Sequence, residues 1–414
     1  MSNMCIICEG SQLFDVYELN VCSEVVEIPK LPHMLKKLVC NICINLKSLP
    51  ELPQSLEELY CYECPLLTSL PELPQSLIGL QIDFCPQIIV PEKLPSNLIW
   101  LQYGAIDSVL YLNDLPHTLT ELWCFDCKNL QYISYLPKNL IEFECTGCLV
   151  LEMLPELPDY LQRLKCSECP NITQIPRLPD TLEELHCGGT SSKSLFTCEL
   201  PISLKIFGCY ECSSLEYLPP LPASLRYFIC RYCNSLKCLP NMPSSLLKLQ
   251  LHSCGSITHI ENIPCGLVRL YISKFDSLIH ISELPDTLWD FNCVCCPSIM
   301  YLPRLPMSLK RLYCNDCRNL LFIPEPFMCL KIFDCTGCMS LVYLPQILEK
   351  HVSREFLNTI NNNYLKWRRQ KAYDWFSSKT GIVYEELIRK TWHPSRIIDW
   401  CWDTEEVKWF KTLK

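Results

Sequence analysis

The feature that most constrains the fold is a repeat whose period is almost always 21 residues. The column that begins with Cys40 recurs at intervals of 21 up to Cys187 and, after one additional residue, from Cys209 to Cys335. An earlier, degenerate copy fits at Leu19. A short period of this kind predicts about sixteen stacked coils that share one continuous core, instead of the two or three globular domains that 414 residues would otherwise suggest.

The two halves of each coil favour different backbone conformations. One half reads Leu-x-x-Leu-x-Cys-x-x-Cys, and alternate side chains of a short stretch such as residues 59–61 would point into and out of the coil, as in a β-strand. The other half reads Leu-Pro-x-Leu-Pro, which excludes an α-helix because proline lacks an amide donor and disfavours helical geometry in the residue before it. We therefore expect a parallel sheet facing an extended or 3-10 wall, with similar spacing on both sides and hence a shallow arc.

The segment Leu56-x-x-Leu59-x-Cys61-x-x-Cys64 resembles the core motif of leucine-rich repeats, with cysteine in place of the third leucine and of the usual asparagine. The Leu-Pro-x-Leu-Pro half is similar to repeats of bacterial type III secreted effectors, and the cysteine-rich variant resembles repeat proteins of giant DNA viruses of amoebae. This resemblance implies a leucine-rich-repeat solenoid with its sheet on the concave face. We expect an N-terminal cap over residues 1–18, the solenoid over 19–345 and a helical cap over 346–414.

The chain has 32 cysteines, and neighbouring Cys-x-x-Cys pairs match the spacing of zinc ribbons. However, hydrocarbon side chains such as Ile82, Leu251 and Ile272 occupy the same column, and they cannot bind a metal. Buried cysteine is a small hydrophobic residue with a weak S–H donor, so we predict packing columns without metal, with disulfides or zinc as the alternatives. The pair Cys5-x-x-Cys8 lies outside the register and is interpreted as part of a cap or as a redox pair.

After residue 345 the repeat ends and apolar residues adopt helical spacing, which predicts a small helical cap over the last coil. The basic run at 367–371 is interpreted as a solvated helix face or as a site for a partner. Cys401-Trp402-Asp403 matches the Cys-x-Asp motif of the ubiquitin-ligase domains that follow similar repeats in bacterial effectors. About 70 residues follow the repeats here, far fewer than such a domain contains.

The composition argues against several classes of function. A formal net charge of -9 disfavours general binding to nucleic acid or to anionic membranes. The sequence has no signal peptide and no apolar run long enough to span a membrane, so we expect an intracellular protein, in the host cytoplasm if it is viral. No glycine-rich phosphate loop, His-x-x-x-His pair or nucleophile elbow occurs, so we predict neither an enzyme nor a cofactor.

The candidate binding residues are those that alternation sends outward from the predicted strands. In the N-terminal half they form an acidic and aromatic stripe of Glu58, Tyr60, Tyr62, Trp100, Glu121, Trp123, Phe125, Asp126, Glu142 and Glu144. In later coils the stripe becomes more basic, with Arg231, Arg269, Tyr271, Arg311 and Tyr313. Aromatic residues also suit strands in general, and mixed charges keep a sheet soluble.

Exposed aromatic residues framed by charge are typical of protein interfaces. We therefore predict a non-catalytic scaffold that binds a protein with a basic patch facing the N-terminal half, and the resemblance to repeat proteins of giant DNA viruses implies a viral protein. The alternatives are a ubiquitin-ligase-like effector or adaptor and a metal-binding protein. The sequence does not identify the partner, the compartment or the oligomeric state.

Overall fold

The computed structural model describes residue 7 and residues 16–196, 199–325 and 329–379. The chain divides into two compact units, Met1–Ser235 and Leu236–Lys414, which we call the N-terminal and C-terminal units. The predictions about Cys5-x-x-Cys8 and about Cys401-Trp402-Asp403 fall outside the described residues.

The described part of the N-terminal unit is built around one parallel sheet. Its strands, in chain order and pairing order, are β1 (Glu18–Val21), β2 (Lys37–Asn41), β3 (Glu58–Tyr62), β4 (Gly79–Asp83), β5 (Trp100–Gly104), β7 (Glu121–Trp123), β9 (Glu142–Glu144), β10 (Arg163–Cys166), β11 (Glu184–Gly188), β12 (Ile206–Tyr210) and β13 (Tyr227–Arg231). Two short strands, β6 (Tyr111–Leu112) and β8 (Tyr132–Ile133), pair separately in the wall.

The C-terminal unit repeats this arrangement and ends in helices. Its sheet contains β14 (Lys248–His252), β16 (Arg269–Ser273), β18 (Asp290–Val294), β19 (Arg311–Tyr313) and β20 (Ile332–Asp334). The short strands β15 (His259–Ile260) and β17 (His280–Ile281) pair in the wall. A 3-10 helix, Gln346–His351, and the helix α1, Arg354–Lys379, follow the last strand.

The strand register confirms the 21-residue period and corrects its first step. Cys40 pairs with Cys61, and Cys187 pairs with Cys209 across the predicted insertion. At the start of the sheet, however, Leu19 pairs with Leu38 of the leucine column and not with Cys40. The prediction that placed Leu19 in the cysteine column was therefore wrong, because the first coil is two residues shorter than the others.

The wall is extended, as the prolines require. From Leu35 to Leu309, a turn recurs in each coil where a leucine N–H donates to the carbonyl of the proline three residues before it, as from Leu56 to Pro53 at 3.0 Å. The consensus serine lies in this turn, and the Ser55 hydroxyl donates to the Leu35 carbonyl of the preceding coil at 2.7 Å. These turns replace the 3-10 helices that were also expected, and the only 3-10 helix in the described residues follows the last coil.

The inward columns form the core, and cysteine and hydrocarbon side chains are equivalent in them. Leu59, Cys61 and Cys64 are fully buried, and so are Ile82 and Leu251, which replace the first cysteine of the pair. The second cysteine of most pairs also links neighbouring coils, because its thiol donates a hydrogen bond to a backbone carbonyl 24 residues earlier. Examples of this contact are Cys64 to Cys40 at 3.2 Å, Cys148 to Cys124 at 3.0 Å and Cys317 to Cys293 at 3.0 Å.

The predicted helical cap covers the last coils. Ser353 caps α1 by accepting a hydrogen bond from the Phe356 N–H at 3.2 Å. From the helix, the Asn363 amide donates to the Met339 carbonyl at 2.6 Å, and the Trp367 ring packs edge-on against Phe322 with 5.6 Å between ring centroids. Helix α1 therefore satisfies and buries groups that the last coils would otherwise expose. Within the described residues, no helix has the length and apolar character that crossing a membrane requires.

Candidate protein-binding surface

The longer strands carry outward side chains in three columns, and the outward side chains of all strands together form what we call the sheet face of each unit. In β3 these side chains belong to Glu58, Tyr60 and Tyr62, and all three are partly exposed. Leu59 and Cys61 between them are fully buried. Packing inside the coil therefore determines the inward residues and leaves the identity of the outward ones open.

An aromatic pair in the N-terminal unit is held in place by a glycine. The rings of Tyr60 and Trp100 lie 5.4 Å apart, although their strands are separated by β4. They approach because Gly79 of β4 carries no side chain, and a Cβ atom there would lie 2.1 Å from the Trp100 ring. Phe125 lies in the same way over Gly104, where a Cβ atom would come within 2.4 Å of its ring. A glycine within a strand commonly marks such a close approach, so sequence reasoning could have found both.

Charged groups fix the orientation of the Tyr60 ring. Its hydroxyl donates to Glu58 at 3.0 Å, and the Lys37 ammonium lies 4.9 Å from the ring centroid. Lys37 also pairs with Glu58 at 3.1 Å. Partial burial and the Glu58 hydrogen bond raise the pKa of Tyr60, so the phenol remains a neutral donor near neutral pH. Tyr62, which faces Phe84 edge-on at 5.6 Å, extends this aromatic surface.

The acidic stripe is less acidic than predicted, because bases on adjacent strands neutralise several of its members. Glu142 accepts a hydrogen bond from Arg163 Nε at 2.8 Å, and Glu144 pairs with Lys165 at 3.4 Å. Glu142 was predicted to be outward and available, but it is only 7% exposed. The cause is the repeat itself, because residues 21 positions apart are direct neighbours across the sheet.

Glu142 is a structural carboxylate. Burial by itself would raise the pKa of this carboxyl, but hydrogen bonds from Arg163 and Trp123 outweigh burial and lower the pKa. Trp123, a predicted binding residue, is partly exposed in β7. By contrast, Glu121 and Asp126 have no ion pair among the described residues, and Asp126 lies in the left-handed turn after β7 with φ of 53°. These two carboxylates supply the negative charge of the predicted acidic stripe that neighbouring bases leave unneutralised.

The structure also shows polar groups that sequence reasoning missed in this unit. His186 lies between Glu184, at 2.9 Å, and the Tyr210 hydroxyl, at 2.8 Å. Asp83 is 1% exposed and accepts a hydrogen bond from Gln102 at 2.6 Å, and burial raises the pKa of its carboxyl. Arg231, a predicted binding residue, is partly buried in β13 at the end of this unit.

The sheet face of the C-terminal unit brings several predicted residues together around an unpredicted tryptophan. The charged ends of Arg269, Lys310 and Arg311 lie 5.7, 5.6 and 5.2 Å from the Trp289 ring centroid. Tyr271 donates to the buried carboxylate Asp290 at 2.9 Å. Tyr313, the remaining predicted residue, lies partly exposed in β19. Trp289 and Lys310 precede the strand columns, so alternation did not point to them.

Two groups of buried thiols could hold a metal ion, one in each unit. In each group three sulfur atoms lie within 4.8 Å of one another, and the groups are Cys209, Cys212 and Cys233, and Cys293, Cys296 and Cys317. Hydrogen bonds to neighbouring thiols together with burial raise the pKa of Cys293, whereas hydrogen bonds from Cys293 and Cys296 lower the pKa of Cys317 in the same group. The absence of metal from these columns stays a prediction.

Comparisons with known proteins support the fold. No protein-family profile matches the chain, and neither does any curated protein. Among solved structures, YopM from Yersinia enterocolitica is 26% identical, with a TM-score of 0.55, over 80% of this chain and 76% of that one. YopM from Yersinia pestis, described as a leucine-rich effector protein, is 26% identical, with a TM-score of 0.56, over 72% and 88%. The chain has the leucine-rich-repeat fold. Its resemblance to leucine-rich effector repeats is thereby confirmed.

A further leucine-rich-repeat structure, the circular protein CroV588, is 21% identical over 78% of this chain and 59% of that one, with a TM-score of 0.44. Within this chain, the outward strand residues change in size and charge from coil to coil, whereas the inward columns stay apolar and buried. The sites described above on the two sheet faces are therefore the candidates for function.

Proposed function

We propose that this chain is a non-catalytic scaffold that binds a protein partner through the sheet face of its N-terminal unit. The observation that carries the proposal is the Tyr60 and Trp100 pair, which Gly79 and the Lys37 and Glu58 charges hold in one arrangement. Rigid, partly exposed aromatic side chains bury a large area at small entropic cost, and they dominate the energetics of many protein interfaces.

The partner that fits this surface carries a basic patch beside an apolar one. Glu121 and Asp126 remain without an ion pair in the described residues, whereas Glu58, Glu142 and Glu144 are already neutralised by neighbours. Attraction between unpaired carboxylates and a basic patch adds to the association rate and weakens as salt screens it. We therefore expect binding that declines with ionic strength.

The resemblance to effector repeats and to cysteine-rich viral repeats supports a finer proposal, in which a viral protein engages host or viral proteins inside the infected cell. YopM from Yersinia pestis is itself described as an effector. We propose no cofactor for this chain, and we propose no binding to nucleic acid or to membranes. No observation on the described residues favours the ligase alternative, so we do not propose it.

The test is affinity purification from the native cell, with mass spectrometry, comparing wild type with a Tyr60→Ala and Trp100→Ala double variant. Truncation of one interface anchor commonly weakens binding by about 30-fold or more, so recovery of the specific partner should fall below detection. The matched control is Tyr111→Ala with Tyr132→Ala, which removes two exposed aromatic rings from the wall strands of the same unit. Equal recovery by both double variants would refute the proposal.

A second variant tests the role of the glycine directly. Gly79→Ala adds one methyl group where the Trp100 ring lies, so the indole must move away from Tyr60. We expect weaker partner recovery with an unchanged circular dichroism spectrum, because alanine suits a strand at least as well as glycine does. Full recovery with this variant would show that the arrangement of the aromatic pair is not what the partner recognises.

A further inference from the structure

The basic cluster of the C-terminal unit holds three cations against one ring. Arg269, Lys310 and Arg311 each place their charged group within 5.7 Å of the Trp289 ring centroid, and all three side chains are exposed. The face of an indole attracts cations, which accounts for their convergence. The like charges of these three side chains repel one another, so binding of a negatively charged group would stabilise the cluster.

Asp290, the carboxylate that the described residues place beside the cluster, already has hydrogen-bond and ion-pair partners. Asp290 is 3% exposed, and its Oδ2 atom accepts a hydrogen bond from Tyr271 at 2.9 Å and lies 3.6 Å from the Arg311 guanidinium. Its Oδ1 atom accepts a hydrogen bond from Asn292 at 3.2 Å. Among the described residues, Arg269 and Lys310 have no ion pair. The cluster therefore presents more positive charge to solvent than its own carboxylate can neutralise.

The distance between the two arginines limits how far apart two acidic groups must be to pair with both of them. Arg269 and Arg311 occupy the same column and lie on either side of Asp290 in the strand register. Two strand spacings separate them, which is about 10 Å between their backbones. In a polyproline II helix, side chains three residues apart point the same way and lie about 9 Å apart. In a β-strand, side chains on one face are instead about 7 or about 13 Å apart.

We propose that this cluster binds an acidic peptide segment of a partner protein, in which two carboxylates three residues apart in an extended, polyproline-like conformation meet Arg269 and Arg311. A guanidinium can donate two parallel hydrogen bonds to the two oxygens of one carboxylate, which suits two discrete acidic side chains. Asp290 between the arginines repels a continuous line of negative charge such as a nucleic-acid backbone. The proposal uses only residues of the C-terminal unit and does not depend on binding by the N-terminal unit.

The test measures binding of fluorescent peptides to the full-length protein by anisotropy at low salt. The probe contains two glutamates separated by two prolines and flanked by neutral residues. One control peptide has a single proline between the glutamates, and another has glutamine in place of both glutamates. We expect the probe to bind at least tenfold more tightly than either control peptide. If the single-proline peptide bound as tightly as the probe, the proposed spacing would be overturned, and if the glutamine peptide did so, the charge requirement would be overturned.

The matched protein variants remove two positive charges each. Arg269→Gln with Arg311→Gln should weaken binding of the probe at least tenfold, whereas Arg304→Gln with Lys350→Gln, which alters exposed cations elsewhere in the same unit, should not. The Tyr60→Ala and Trp100→Ala variant should bind the probe as wild type does, which separates this proposal from the proposed function. Equal losses from both charge variants, or displacement of the probe by inorganic phosphate at a similar concentration, would overturn it.

Discussion

The two units have equivalent inward columns, but their outward columns carry different charges. Leu59 in the N-terminal unit and Leu270 in the C-terminal unit occupy the same column and are both fully buried. One position earlier, the outward residue is Glu58 in the first case and Arg269 in the second. The same coil geometry therefore supports a carboxylate or a guanidinium at one position, depending on the unit.

The difference shows how the charges of the sheet face are balanced. In the N-terminal unit, acidic residues meet bases one coil away, as Glu58 meets Lys37 and Glu142 meets Arg163. In the C-terminal unit, three bases converge on Trp289, and within the described residues only Arg311 of the three lies within ion-pair distance of an acid, which is Asp290. The fold determines which side chains are neighbours, and the outward residues determine whether those neighbours leave charge for a partner.

The largest expected effect tests whether the inward columns are equivalent. Leu59→Ala and Leu270→Ala each remove most of a fully buried side chain, so each should lower the free energy of unfolding by about 2–5 kcal/mol in urea titrations. Cys61→Val should cost much less, because Ile82 and Leu251 already fill the same column. If only one of the two leucine variants were destabilised, or if the valine variant were the most damaged, the equivalence would fail.

An intermediate effect tests the difference between outward arginines. Arg163→Ala leaves the buried Glu142 without its main partner and should cost about 1–2 kcal/mol, a value reduced by the partial exposure of the arginine. Arg269→Ala leaves no buried acid unpaired and should change stability by less than about 0.5 kcal/mol. If Arg163→Ala and Arg269→Ala lowered stability equally in thermal and urea unfolding, the charges on the two sheet faces would be balanced in the same way.

The loss of stability caused by Arg163→Ala should depend on pH, and the pKa of Glu142 determines the direction of this dependence. That pKa lies below its ordinary value of 4.5 in the folded state, so the stability that it contributes is present above pH 4.5 and is lost as pH falls through the folded pKa. The stability gap between wild type and Arg163→Ala should therefore narrow below pH 4.5. When Glu142 is replaced by glutamine, adding Arg163→Ala should change the free energy of unfolding only slightly at every pH. A gap that did not narrow at any acidic pH at which the protein stays folded would contradict the ion pair.

The smallest expected effect concerns the two thiol groups, one in each unit. If both are packing clusters, elemental analysis of the purified protein should find no stoichiometric zinc or copper, and a chelator should leave the melting temperature unchanged. Metal bound in one unit only, and lost on Cys233→Val or on Cys317→Val, would show that the inward columns of the units differ in function.

Sequence reasoning predicted the coils, the parallel sheet, the extended wall and the terminal helix because the period can be read directly. A column that accepts Cys61, Ile82 and Leu251 can only be buried packing, and the structure confirms this. Proline excluded a helical wall for local reasons that no tertiary contact overrides.

The candidate site was predicted only in part, because its contacts link residues one or two coils apart through side-chain geometry. The period could have paired Glu142 with Arg163, since they are 21 residues apart, and it would then have predicted neutralisation in place of an acidic stripe. The position of Trp100 over Gly79 and the gathering of cations on Trp289 depend on which way long side chains turn. Alternation along a strand does not contain that information.

The central claim is that inward columns determine stability and that the outward residues, apart from the buried Glu142, determine binding, and one experiment tests it most directly. Each residue of strands β3 to β9 is replaced by alanine, and every variant is assayed for protease resistance and for recovery of the specific partner. We predict that inward substitutions such as Leu59→Ala reduce protease resistance, whereas outward substitutions at Tyr60, Trp100 and Glu121 reduce recovery alone. If both measurements fell at the same positions, or if outward substitutions left recovery intact, the claim would be contradicted.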